Sequence, residues 1–159
     1  MVNMADELAD LFAAAGSPTI EWEGAAAHAM WEITPVPEQL AIKFRGAAAT
    51  PVQGLAVKLE GGMLRVDGVE AKHFTLWQDT SPREVRIVIA KKGKAKLRIW
   101  NIWREAVGGY GVTQAWLRNS GMRIEPSGES DETILRCSDG VGAVNFDDFI
   151  VSVRAVSGI

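Results

Sequence analysis

The segment "KLRIWNIWRE", residues 96–105, decides how this chain folds. It reads as a β-strand, in which successive side chains point to opposite faces. Leu97, Ile99, Asn101 and Trp103 then share one face, and Lys96, Arg98, Trp100, Ile102 and Arg104 share the other. The first face is apolar except at Asn101, which assigns it to the core and makes Trp103 a core ring. Trp100 stands on the outer face, and two readings of it stay open. It is either a surface ring covered by arginine stems, a helix or a loop, or an exposed platform on which a ligand stacks, with Arg98 or Arg104 supplying hydrogen bonds.

The period of two extends well beyond this segment. "EQLAIKFRG" sets Leu40, Ile42 and Phe44 against Lys43 and Arg45, and "GLAVKLE" sets Leu55, Val57 and Leu59 against Lys58 and Glu60. "EVRIVIA" offers Val85, Ile87 and Ile89, and "AHAMWEI" offers Ala29, Trp31 and Ile33. Gly61-Gly62 predicts a hairpin turn, and "KKGK" predicts another between "EVRIVIA" and "AKLRIW". Further strands are expected at "VTQAWLR", "MRIE", "TILRC" and "FDDFIVSV", with "NSG", "PSGESDE" and "SDGVG" as turns. Ahead of them all, Met4, Leu8, Leu11, Phe12 and Ala15 recur at helical spacing. Asn3 is the expected N-cap, and Gly16 followed by Pro18 the stop. The expected fold is all-β: an antiparallel two-sheet sandwich of jelly-roll type, one domain over 1–159, with an N-terminal helix at about 4–15.

Composition narrows the function classes. At 159 residues, 47% hydrophobic and 23% charged, the chain suits one ordinary globular domain. A net charge of −3 gives no reason to expect nucleic acid or an anionic membrane, and no apolar run approaches the ~20 residues that span a bilayer. The lysines at 91, 92, 94 and 96 crowd the tip of the expected hairpin; they could grip phosphates, but with the chain net acidic they read as a solvated, aggregation-resistant tip. The acidic start "MVNMADELADLF" does not resemble a signal peptide, and the lone Cys137 reads as a small buried side chain. A cytoplasmic location is therefore expected, unless an export signal has been removed.

Six tryptophans against one tyrosine are the compositional outlier. In "VTQAWLR", Val112, Gln114, Trp116 and Arg118 share a face, and a face with both a glutamine and a tryptophan suggests a wet, half-open surface. Asn101, Trp103, Gln114, Trp116 and Arg118 are candidates for one such patch. Its composition suits a saccharide: flat rings for the apolar sugar face, amides and a guanidinium for the hydroxyls. With the outer-face pair Arg98 and Trp100, the candidate ligand residues are Trp100, Arg98, Asn101, Gln114, Trp116 and Arg118.

The closing "GAVNFDDFIVSV" resembles the last strand of jelly-roll carbohydrate-binding modules, and "TIEWEG" resembles their E-x-E strand. The resemblance covers about twenty residues at the two ends of the chain. It implies a structural calcium ion held by Glu21, Glu23, Asp147 and Asp148, since hard carboxylate oxygens suit that ion. Without such an ion, Asp147 and Asp148 read as solvated acids that open a strand beside a turn. Catalytic motifs are lacking: the two histidines, His28 and His73, have no metal-ligand spacing, and no nucleophile motif occurs. The leading expectation is a non-catalytic module that binds a saccharide or similar small polar molecule. The alternatives are a self-associating interaction domain and a glycan-active enzyme on the same scaffold.

Overall fold

The computed structural model describes residues 6–107, 110–129 and 131–156. Asn3 and Met4, the expected start of the helix, lie outside them. Helix α1 runs over Leu8–Ala15, shorter than expected, with Glu7 at its N-cap. The Glu7 N–H donates to the Asp10 carboxylate at 3.2 Å, and the Leu8 and Ala9 N–H groups donate to Asn119 Oδ1 and the Arg118 carbonyl. Donors that a helix leaves free at its start are thus taken by a distant loop. Gly16, in left-handed backbone at φ 60, ends the helix as expected.

The other regular elements of the described residues are strands. The strands are β1 (Thr19–Trp22), β2 (Ala25–His28), β3 (Trp31–Ile33), β4 (Gln39–Ala47), β5 (Val52–Val66) and β6 (Val69–Ala71). They continue with β7 (His73–Trp77), β8 (Glu84–Val107), β9 (Tyr110–Gln114), β10 (Gly121–Pro126), β11 (Glu132–Ser138) and β12 (Phe149–Val156). All pair antiparallel in one continuous path, β1-β2-β10-β11-β12-β4-β8-β5-β6, with β3 and β9 on β8 and β7 on β5. The all-β class and the single helix are as expected.

The two expected hairpins are not formed. Gly61-Gly62 and "KKGK" lie inside two long strands that run beside each other: Glu60 pairs with Lys96 and Gly62 with Lys91, with a register shift between. The extra residues on β8 make a bulge opposite the two glycines, which bends both strands together. A Cβ on Gly61 would stand 2.3 Å from the Lys94 carbonyl oxygen, and one on Gly62 would stand 2.1 Å from that of Ala90. The site demands glycine because the partner backbone fills the space, so a turn-like dipeptide serves a corner instead of a reversal.

At this corner the ribbon passes from one layer to the other, as strands of folded sheets do at bulges. Leu97 and Ile99 beyond it face Val85, Ile87, Leu135, Val151 and Val153 in one buried cluster. A direct tie spans the layers: Asn101 Nδ2 donates to the Ser138 carbonyl at 2.9 Å, with Asn101 only 2% exposed. Among the described residues no helix is long and apolar enough to cross a membrane.

Candidate functional site

Trp103 is fully buried, as its face predicts, and its indole N–H donates to Glu105 Oε1 at 2.7 Å. Gly140 lies flat against its ring, where a Cβ would come within 2.3 Å of Cζ2. Trp100 departs from the open-platform reading. It is only 8% exposed and forms a second small core with Ala56 and Ile102 on the outer face of β8. Gly54 and Ala56 stand opposite Ile102 and Trp100 in the ladder, and their small size lets Trp77 pack from β7.

The cover over Trp100 comes from the segment after β9. Gln114 still pairs with Trp103, but Trp116 and Arg118 take left-handed backbone, at φ 57 and 50. These two residues break the alternation. The Trp116 ring lies on Trp100, with centroids 4.9 Å apart, and its N–H donates to the Ala29 carbonyl at 2.9 Å. His73 closes the other edge of Trp100 at 5.6 Å. Trp116 is therefore a lid on the outer face and does not extend the face of Asn101 and Trp103. It is 46% exposed, so one part of its ring remains open.

The other expected ligand residues are engaged within the protein. Arg98 pairs with Glu32 at 3.3 Å and Glu60 at 3.0 Å. Asn101 spends its amide on the cross-layer bond. Arg118 binds Glu105, the acceptor of the Trp103 N–H, and the Gly140 carbonyl. Gln114 is half-buried beside Trp103. Trp100, Arg98, Asn101 and Arg118 thus build the fold, and the proposed sugar patch is divided between two faces.

The four expected calcium ligands are likewise dispersed. Glu21 and Glu23 are exposed on and just after β1. Asp147 accepts from Arg136 Nη1 at 2.7 Å, while Asp148 accepts the Asp139 N–H at 3.1 Å. Burial, reinforced by the charges of Asp139 and Asp147, pushes the Asp148 carboxyl up to about 6, against the pull of that N–H. Among the described residues, no three His, Cys, Asp or Glu side chains come together as a metal site. Cys137 is fully buried, and burial pushes its thiol well up from the ordinary value. That is the inert small side chain expected of it.

A concave site does occur elsewhere. A cavity of about 550 Å³ opens at one end of the molecule, between the connection after β3 and the β10–β11 hairpin. Trp31, Pro35 and Pro37 line it from one segment, and Glu129, Asp131 and Thr133 line it from the other, with Leu40 and Val153 among its apolar walls. Trp31 is half-buried because β3 is so short: it pairs with Ile99 of β8, packs on the main core, and leaves part of its ring to the cavity. The volume falls in the range of small-molecule sites, about 300–1,000 Å³. The period of two puts Trp31 on an apolar face, and "PSGESDE" reads as a turn. Nothing local in either stretch signals that the two meet. Comparison with family models, with curated proteins and with solved structures finds no match for this chain.

Proposed function

We propose that this protein is a non-catalytic binding module whose cavity at Trp31 takes a saccharide or similar small polar molecule. One observation carries this reading: a concavity of molecular size is lined by Trp31 and prolines on one side and by Glu129, Asp131 and Thr133 on the other. A sugar ring has the same duality, with an apolar face to lay on an indole and hydroxyls to donate to carboxylates. Calorimetric titration with a panel of oligosaccharides tests it. Trp31→Ala is expected to weaken binding by up to about ten-fold, the size of a lost stacking contact, and Trp116→Ala to leave it unchanged. Binding that is lost with Trp116 and kept with Trp31 overturns the reading.

A second reading, self-association, is favoured by the exposure of Trp116, Leu117 and Val112 within one short segment, at 46, 38 and 38%. Exposed large side chains grouped in this way suit an interface. If it holds, sedimentation shows concentration-dependent dimers that Trp116→Ala abolishes.

A further inference from the structure

The cavity at Trp31 is charged on one side only, and we infer that its ligand carries a protonated amine. The inference rests on the reading of that cavity as the binding site and adds the charge of the occupant. Three acidic residues, Glu129, Asp131 and Glu132, are among the described residues that line the cavity, and no lysine, arginine or histidine is. The Glu132 carboxylate is turned to Arg45, at 3.6 Å, on the neighbouring face, which leaves Glu129 and Asp131. Among the described residues Glu129 and Asp131 make no ion pair.

Lys91 approaches the opposite wall, but its ammonium is committed to the Val36 carbonyl at 2.8 Å, and it does not line the cavity. The backbone that carries Asp131 is also held in place. Asp131 sits in left-handed backbone at φ 66, and its carbonyl accepts the Ala155 N–H at 3.0 Å. A neutral sugar offers donors to these carboxylates but leaves their charge uncompensated. A protonated amine supplies both donors and charge, and the face of an indole such as Trp31 attracts a cation as well. The ligand class that meets all the lining groups is an amino sugar, or a body of that size bearing a primary amine.

Two probes of equal length and linkage isolate the charge: a glucosamine trimer and its N-acetylated counterpart, titrated calorimetrically into the whole protein at low salt and a mildly acidic pH at which the amines are protonated. The charged trimer is expected to bind at least about ten-fold tighter, with the gap closing as salt screens the carboxylates. The double variant Glu129→Gln, Asp131→Asn is expected to erase the preference, weakening the charged trimer far more than the acetylated one. Both positions are exposed, and asparagine accepts left-handed backbone, so the melting temperature should not move. Equal affinity for the two trimers overturns the amine inference and leaves the binding reading intact. A preference that survives in the double variant also overturns it, because the amine is then recognised elsewhere. If neither trimer binds, both the inference and the reading beneath it fall.

Discussion

Trp100 and Trp103 point in opposite directions, and both are covered. Their alternation was legible in the sequence, because Leu97, Ile99 and Trp103 repeat at a period of two. The covering of Trp100 was not. It depends on Trp116 and Arg118 adopting left-handed backbone, which bulky side chains rarely do and which no residue type there announces. Two large buried rings predict two large losses. Trp103→Ala and Trp100→Ala should each cost about 3–5 kcal/mol in chemical denaturation, the range for removing a buried aromatic, with Trp100 toward the lower end because its cluster is small. A Trp100→Ala variant that unfolds like the parent would mean the outer face is open after all. Gly140 offers an independent check on the packing of Trp103. Gly140→Ala forces a methyl into the ring, so it should destabilise by about 1–3 kcal/mol through overpacking, and near-UV circular dichroism should report the displaced indole.

The elements show where local signals mislead. Gly-Gly and "KKGK" carry the composition of a hairpin turn, and the alternation of their flanks is equally compatible with a reversal or with a bulged strand that continues. Pairing decides between them, and pairing is non-local: "EVRIVIA" lies beside β4 and the far half of β5, not beside "AKLRIW". Gly62→Ala should therefore be far more costly than Gly93→Ala. The first meets the Ala90 carbonyl at 2.1 Å, whereas the second meets nothing within 4 Å and bears only the strain of its positive φ, roughly 1 kcal/mol. Equal melting temperatures would contradict the corner. The connection between β11 and β12 carries a pH dependence. Asp148 holds its proton to about 6, above its ordinary 3.8. The folded state thus binds the proton more tightly than the unfolded chain does. The contribution to stability is fully present below 3.8 and is lost as pH rises through about 6. Asp148→Asn keeps an acceptor for the Asp139 N–H and should flatten stability across that window, as urea denaturation at successive pH values would show. A slope unchanged in the variant would assign the proton to another group.

At the scale of the whole molecule, folding a continuous sheet over its own corner creates the two layers. It also brings together stretches that sequence reading treated separately. The all-β class was legible because most of the chain alternates, and the helix because its stripe and its glycine stop are local. The cavity was not, since Trp31 and the acids of residues 129–132 meet only once both layers are in place. The functional claim rests on that meeting, and the indole region of a ¹H–¹⁵N spectrum tests it most directly, since each tryptophan side chain gives its own N–H signal. During titration with the oligosaccharide that binds, the Trp31 indole signal is predicted to move with ligand concentration while that of Trp116 stays in place. Movement of Trp116 with Trp31 unmoved would contradict the account and place the ligand on the outer face of β8.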